Sequence, residues 1–149
     1  MTVVIDASLL LSIGLPLPYT RQSFQLLRQW KETGEVMHAP ILLEYEITSA
    51  LRKAVFLGSI GMDEAVSTQA NLLSLGVQRV NPTPELHKHA LQWAAVLGQS
   101  KAYDAHYLAL AESLQADYWT ADQRLVRGAR QADADWVHWV GELNNSEAL

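Results

Sequence analysis

The amino-acid sequence predicts an α/β protein in which helices cover a short, mostly parallel sheet. Short apolar segments rich in β-branched residues, such as Thr2–Ile5, alternate with longer segments whose apolar residues recur at helical spacing. No internal repeat, low-complexity tract or linker interrupts the 149 residues. One domain with a single hydrophobic core is therefore expected.

The first half of the chain contains three predicted strands and three predicted helices. The stretch 14–18 is predicted to be a loop, because it holds one glycine and two prolines. After it, Phe24, Leu27 and Trp30 recur at the spacing of one helix face. Pro40 suits the first turn of another helix. The predicted elements are a strand at 2–5, a helix at 21–33, a strand at 36–38, helices at 40–57 and 63–75, and a strand at 77–80.

The second half repeats this alternation. It is predicted to contain helices at 84–97, 103–114 and 122–130 and strands at 118–120 and 136–140. Trp136 and Trp139 are assigned to packing of the last strand, since large aromatic residues belong more often to a core than to a binding platform. Residues 144–149 are expected to form a frayed tail, which leaves residues 1–143 as the domain.

Composition limits the possible functions only loosely. The chain has 16 acidic residues against 11 Lys and Arg, a net charge of −5, which argues against broad electrostatic binding to nucleic acid. It has no cysteine, so neither a disulfide nor a thiolate metal site is possible. No apolar stretch approaches the roughly 20 residues of a membrane-spanning helix, and no signal peptide is recognisable. The expectation is a soluble cytoplasmic protein.

Acidic residues stand where two predicted strands end. Asp6 directly follows the first strand, and Asp122 comes just after the strand 118–120. Sites in open α/β sheets form beyond the carboxyl ends of the strands, so these two carboxylates are expected to face one cleft. Asp104 begins the apolar stripe of its helix. Asp122 could also be a helix N-cap and Asp104 an ordinary first-turn acid, whereas Asp6 has no evident capping role beyond Ser8.

A fourth acid is expected on helix 40–57, where Glu44 and Glu46 flank the apolar stripe on opposite sides. Periodicity alone leaves the choice between them open. A cluster of carboxylates without a histidine or cysteine motif suits Mg²⁺ or Mn²⁺ rather than zinc. Such a site can orient phosphate oxygens and activate water for in-line attack on a phosphodiester.

Four segments together resemble the PIN-domain ribonucleases, most of all the VapC-type toxins of toxin–antitoxin pairs. The segments are residues 4–8, 39–52, 103–111 and 120–125, and they follow the family's order over nearly the whole chain. The resemblance selects Glu46 over Glu44. In the family, the acid is followed by an aliphatic residue, a pair of small residues and leucine, as in the stretch 46–51 here.

The resemblance implies a PIN-like three-layer α/β/α sandwich with endoribonuclease activity that depends on Mg²⁺ or Mn²⁺. The implied metal-binding and catalytic residues are Asp6, Glu46, Asp104 and Asp122, with Ser8 and Thr120 as supporting residues that orient them. Many relatives carry asparagine where this chain has Ser8. The resemblance also implies an RNA substrate, an antitoxin protein that blocks the active site, and a homodimer.

Other candidate residues carry less weight. Arg124, Arg127 and Arg130 recur every three residues after Asp122 and could contact RNA phosphates, although a solvated helix face explains them equally well. His87 and His89 are two residues apart on a predicted helix, so they point to different sides and are not expected to bind a metal together.

Two further enzyme or signalling classes are disfavoured. A response-regulator receiver would need paired acids after the first strand and a lysine ending the last one. A nucleotide-binding enzyme would need a glycine-rich phosphate loop after the first strand. The serious alternative to a nuclease is a PIN-like protein-interaction module that has lost catalysis.

Overall fold

A five-stranded parallel sheet runs through the centre of the molecule. The computed structural model describes residues 1–143, so the predicted tail at 144–149 lies outside the described residues. The strand order is β3-β2-β1-β4-β5. The strands are β1 (Thr2–Ile5), β2 (Val36–Pro40), β3 (Gln78–Val80), β4 (Asp117–Thr120) and β5 (Val137–Trp139).

Helices connect the strands in sequence order. They are α1 (Ala7–Gly14), α2 (Thr20–Thr33), α3 (Leu42–Phe56), α4 (Met62–Leu73), α5 (Pro84–Val96), α6 (Tyr103–Leu114) and α7 (Gln123–Gln131), followed by a 3₁₀ turn at Val140–Glu142. The predicted α/β fold with a parallel sheet is confirmed. None of the helices within residues 1–143 is both long and apolar enough to cross a membrane.

Two local features differ from the sequence prediction. Helix α1 was not predicted, because its Ala-Ser-Leu-Leu-Leu-Ser-Ile-Gly sequence is so apolar that no helical period stands out. Pro40 ends β2 instead of starting α3. Pro40 is the last residue of β2 and is paired with Val80. Because the strand ends there, the missing N–H of the proline removes no hydrogen bond from the interior of the sheet.

The direction of the chain reverses at β1. From β1 the chain builds outward to β2 and β3, and it then returns to the other side of β1 to add β4 and β5. Because crossovers between parallel strands are right-handed, the two directions place their helices on opposite faces of the sheet. The result is the predicted three-layer sandwich, with α1–α4 in one layer and α5–α7 in the other.

The core lies on both sides of β1. Val4 and Ile5 are completely buried, as expected for the central strand of a sheet that helices cover on both faces. Helix α6 lies against β1, β2 and β4, with α5 packed on its outer side. A stripe of buried alanines, including Ala94 and Ala105, allows α5 and α6 to approach closely. This packing fixes the start of α6 beside the carboxyl ends of β1 and β4.

Candidate active site

Asp6 lies at the carboxyl end of β1 and is only 7% exposed. One of its carboxylate oxygens, Oδ1, accepts hydrogen bonds from Ser8 Oγ at 2.6 Å and from the Leu9 N–H at 3.2 Å. The other, Oδ2, accepts from the Tyr118 hydroxyl at 2.7 Å. Asp6 is therefore also the N-cap of α1, a role that the sequence analysis did not recognise because it did not predict this helix.

Ser8 and Thr120 connect the ends of β1 and β4. Their hydroxyl oxygens are 3.2 Å apart, and Ser8 Oγ also accepts a hydrogen bond from the Ala121 N–H at 3.0 Å. Thr120 Oγ1 accepts from the Asp122 N–H at 3.1 Å. These hydroxyls join the Asp6 carboxylate and the Asp122 backbone in one network, and their supporting role in the site stays a prediction.

Two stacked tyrosines donate hydrogen bonds to two of the acids. The rings of Tyr107 and Tyr118 are 5.9 Å apart and nearly parallel, and both side chains are almost fully buried. Tyr118 donates to Asp6, whereas Tyr107 donates to Glu46 Oε1 at 2.6 Å. Burial and the neighbouring carboxylates raise the pKa of both phenols, so they remain hydrogen-bond donors at neutral pH.

The sequence analysis did not single out either tyrosine as a partner of the acids. A usable signal was present in the sequence. A buried tyrosine hydroxyl normally needs a hydrogen-bond partner, and Tyr118 lies two residues before Thr120, on the same side of the strand.

The two glutamates of α3 have different partners. Glu46 is half-buried and accepts a hydrogen bond from Tyr107. Glu44 is exposed and forms an ion pair with Arg79, whose Nε lies 3.1 Å from Glu44 Oε1. The same Arg79 donates to the backbone carbonyls at the end of α4 and before β3, which ties it to a structural role. Glu46 therefore belongs to the acidic cluster and Glu44 does not.

Asp104 and Asp122 line an open cleft of about 370 Å³. Asp104 is half-buried in the first turn of α6, and Asp122 is the N-cap of α7, where its Oδ1 accepts from the Leu125 N–H at 3.2 Å. Asp122 therefore caps α7, which was one of the two roles that the sequence left open, and it also lines the cleft. The other residues that line the cleft are Leu97, Gly98, Gln99, Arg124, Leu125 and Gly128.

The carboxylates repel one another. Burial raises the pKa of Asp6, although hydrogen bonds from Ser8, Thr120, Tyr118 and Leu9 oppose this effect. Burial is also the largest cause of the raised pKa of Glu46 and of Asp104. The pKa of Glu46 is raised further by Asp6 and Asp104, and the pKa of Asp104 is raised further by Asp6 and Asp122. None of the four acids is ion-paired with a basic side chain within residues 1–143.

This donor set suits a hard divalent cation, which would offset the repulsion. No three His, Cys, Asp or Glu side chains in the described part of the chain converge closely enough to form a complete metal site by themselves. That arrangement is compatible with Mg²⁺, which is commonly held by one or two carboxylates together with waters and substrate phosphates. The acids fit such an ion by their chemistry, and the ion itself stays a prediction.

The three arginines of α7 differ in their surroundings. Arg124 lines the cleft beside Asp104 and Asp122, and Arg127 is exposed one turn further along. Arg130 instead pairs with Glu142 at 2.6 Å and donates to the Val137 carbonyl at 3.1 Å, which is a structural role. Of the candidate phosphate contacts, Arg124 has the most suitable position.

Histidines lie outside the acidic cluster. His87 contacts His106 edge-to-face, with 5.0 Å between ring centroids. His89 lies 3.7 Å from Glu85 on the same helix. The two neighbours His87 and His89 thus have separate contacts, as predicted from their spacing.

Sequence comparison identifies the family to which this fold and acidic cluster belong. The family model for the PIN domain matches residues 3–131. The chain belongs to the PIN-domain family. Ribonuclease VapC12 of Mycobacterium tuberculosis is 32% identical to this PIN-domain protein over 125 residues, covering 84% of this chain and 90% of the relative.

Solved structures have the same fold at low sequence identity. VapC20 of Mycobacterium tuberculosis, described as a sarcin-ricin loop cleaving toxin, superposes with a TM-score of 0.64 at 18% identity, covering 85% of this chain and 95% of that one. A toxin–antitoxin complex from Klebsiella pneumoniae gives a TM-score of 0.65 at 15% identity, covering 95% and 99%. The match to VapC12 confirms the resemblance to VapC-type PIN domains, and the solved structures confirm the fold.

Proposed function

We propose that this PIN-domain protein is an endoribonuclease that uses Mg²⁺ or Mn²⁺ to hydrolyse RNA phosphodiester bonds. The observation that carries the proposal is the group of four acids at the point where the sheet reverses direction, where they are mutually repelling and unpaired with basic side chains. The ribonuclease name of the 32% identical relative supports RNA as the substrate.

The chain's own residues supply orientation and charge. Asp6, Glu46, Asp104 and Asp122 would hold the cation between them, directly or through bound waters and together with the substrate phosphate. When bound, a divalent cation stabilises the developing charge on a phosphate and lowers the pKa of a water molecule. Ser8 and Tyr118 keep the Asp6 carboxylate oriented, and Tyr107 does the same for Glu46. Arg124, with Arg127 further along, offers a guanidinium group to the RNA backbone at the rim of the cleft.

Cleavage of a total-RNA preparation tests the proposal. Wild-type protein is expected to cut RNA with Mn²⁺ and to stop in EDTA, and Asp6→Asn is expected to lower the rate about 100-fold or more. Asparagine keeps an oxygen that can cap α1, so the fold should survive, as circular dichroism would verify. Asp135→Asn, which changes an exposed acid outside the cleft, is the matched control.

Two results would overturn the proposal. Equal cleavage by wild type, Asp6→Asn and Asp104→Asn would show that the acids are not the catalytic site. No cleavage together with no detectable Mn²⁺ binding would favour the alternative function, a PIN-like interaction module without catalysis.

We further propose that the protein is the toxin of a type II toxin–antitoxin pair, acting on RNA in the cytoplasm as a homodimer and inhibited by a small antitoxin. The relation to VapC12 and the solved toxin–antitoxin complex of the same fold support a protein partner. The chain also offers a surface for one. Phe56, Leu57, Met62 and Val66, on and between α3 and α4, are each more than half exposed, and we call them the α3–α4 surface.

A further inference from the structure

Tyr103 carries an aromatic ring that the rest of the described chain leaves uncovered. The residue is 57% exposed, and its side chain forms no hydrogen bond or ring contact within residues 1–143. The buried tyrosines differ, because Tyr107 and Tyr118 stack on each other and donate to acids of the site. A single exposed aromatic residue is ordinary on a protein surface, so its position must decide whether it has a function.

Tyr103 lies on the same face of α6 as Tyr107. The two residues are four positions apart, which is about one helical turn, and the Tyr107 hydroxyl donates to Glu46 at 2.6 Å. Because α6 starts beside the carboxyl ends of the strands, Tyr103 stands about 5.4 Å further out than Tyr107, toward the mouth of the site. The next residue, Asp104, lines the cleft. Tyr103 therefore stands at the edge of the acidic cluster.

Tyr45 provides an internal comparison. It is 69% exposed and directly precedes Glu46, just as Tyr103 directly precedes Asp104. Four positions after Tyr45, however, the same helix face carries the exposed Ser49. Tyr45 thus belongs to the solvent face of α3, whereas the face of α6 that carries Tyr103 leads into the site.

The charge of the molecule gives a stacking contact a clear use. With a net charge of −5 and a cluster of acids at the site, the chain cannot depend on broad electrostatic attraction to hold RNA. Arg124 is the basic residue that lines the cleft. Stacking of a base on an aromatic side chain adds affinity that does not require positive charge, and every base has a face that can stack.

We propose that Tyr103 is a substrate-binding residue, whose ring stacks on an unpaired base of the RNA beside the scissile phosphate. Arg124 contacts the RNA backbone from within the cleft. The inference rests on the proposed function, in which Asp104 and the other acids act on that phosphate. A base inside a duplex is already stacked and paired, so the contact selects an unpaired nucleotide.

Binding and cleavage by variants of Tyr103 test this inference. Tyr103→Phe keeps the ring without the hydroxyl, and Tyr103→Leu keeps an apolar side chain without a ring. Fluorescence anisotropy measures binding of labelled oligoadenylate, single-stranded or annealed to oligouridylate, to proteins that also carry Asp6→Asn and are kept in Mn²⁺. Values of kcat and KM are measured without Asp6→Asn, on an oligonucleotide that contains a site cut by wild type in total RNA. Tyr45→Leu is the matched control.

Tyr103→Leu is expected to bind single-stranded oligoadenylate about 10-fold less tightly and to raise KM by a similar factor. A contact that is equally strong in the ground state and the transition state leaves kcat nearly unchanged. Tyr103→Phe should stay within about twofold of wild type, because its ring can still stack. Affinity for the duplex should not change, and Tyr45→Leu should behave like wild type. Circular dichroism should be the same for all variants, since both tyrosines are exposed.

Unchanged affinity for single-stranded oligoadenylate and unchanged KM in Tyr103→Leu would overturn the inference. An equal loss of affinity for the duplex, or an equal loss in Tyr45→Leu, would also overturn it, because neither is the effect of one ring stacking on an unpaired base. Failure of the proposed function is a different result: wild-type protein itself would cut no RNA in Mn²⁺, and the role of Tyr103 would fall with it.

Discussion

At the residue scale, acids of the candidate site also stabilise the fold. Asp6 and Asp122 each use one carboxylate oxygen to cap a helix, while the second oxygen of Asp6 is held by Tyr118. The sequence analysis weighed capping against a functional role for Asp122 as if the two competed. Because a carboxylate has two oxygens, Asp122 can cap α7 with Oδ1 and still offer Oδ2 to a cation.

The tyrosine donors give a residue-scale prediction. Tyr107→Phe removes the hydrogen bond that lowers the pKa of Glu46, so this pKa, already raised by burial, should rise further. Only the ionised carboxylate holds a cation, and the acidic limb of the pH profile of cleavage should therefore move to higher pH. Rate measurements between about pH 5 and 8 check this shift.

Tyr45→Phe is the control for this experiment, since Tyr45 is exposed on α3 next to Glu46. Its profile should match that of wild type. An acidic limb that stays in place in Tyr107→Phe would mean that Glu46 does not control the titration of activity.

At the element scale, helix α1 links the sheet to the site. Its N-cap is Asp6, its second residue is Ser8, and its apolar side chains Leu9 and Leu10 are completely buried. The start of α1 therefore cannot shift without moving two residues of the acidic network. Helices α3 and α4 differ, because they pack on each other and yet leave the α3–α4 surface exposed.

The α3–α4 surface gives an element-scale prediction about the proposed antitoxin. Val66 borders a groove of about 180 Å³ between the two helices and is 58% exposed, so Val66→Glu should be tolerated by the fold. A charge there should block an apolar partner. Tagged Asp6→Asn protein, expressed in the native cells, is expected to recover a small partner protein, and the added Val66→Glu change should lower that recovery at least about tenfold.

Leu91→Glu is the matched control, since Leu91 is equally apolar and exposed but lies on α5, in the opposite layer. Equal recovery with Val66→Glu and Leu91→Glu would contradict the assignment of this surface. Recovery of no small partner by any variant would count against the toxin proposal and leave the nuclease proposal untouched.

At the scale of the whole molecule, the acidic cluster lowers the stability of the metal-free protein at neutral pH. Asp6, Glu46 and Asp104 all have a pKa above the ordinary value in the folded protein. Each such group favours folding when protonated, at a pH below its pKa in the unfolded chain. This stability is lost as the pH rises through the folded pKa. The metal-free protein is therefore weakened by its own site at neutral pH.

Asp104→Asn tests this consequence. In EDTA the variant should be more stable than wild type at pH 7 by about 1 kcal/mol, and the difference should shrink toward zero as the pH falls to about 4. His106, whose pKa is lowered by burial and by His87, has the opposite pH dependence, but it is present in both proteins and cancels in the comparison. Urea unfolding at several pH values measures the difference.

Added Mn²⁺ should reverse the order at pH 7, because the ion stabilises only the folded wild-type site. Asp135→Asn controls for the loss of one negative charge. A wild-type protein that is more stable than Asp104→Asn in EDTA at pH 7 would contradict the predicted cost of the site.

The sequence by itself determined the fold class and the order of the strands and helices apart from α1. It also indicated Asp6, Asp104 and Asp122 as candidate site residues, whereas the choice of Glu46 over Glu44 came from the family resemblance. Apolar periodicity is a local property, and it survives in any window of ten or so residues. It failed at α1, where nearly every residue is apolar, and at Pro40, where the proline suited a helix start and a strand end equally well. The sequence could predict that Asp6 and Asp122 face one cleft, because parallel strands bring their carboxyl ends to one edge of the sheet.

Only the tertiary structure decided which groups surround those acids. Tyr107 lies 61 residues from Glu46, and Tyr118 lies 112 residues from Asp6. No local period connects such positions, since their contact depends on the register of β1 with β4 and on the packing of α6 against the sheet. The pairing of Glu44 with Arg79 has the same origin. A hydrogen bond between distant segments is specified by three-dimensional packing, and the sequence shows only that its donor and acceptor are present.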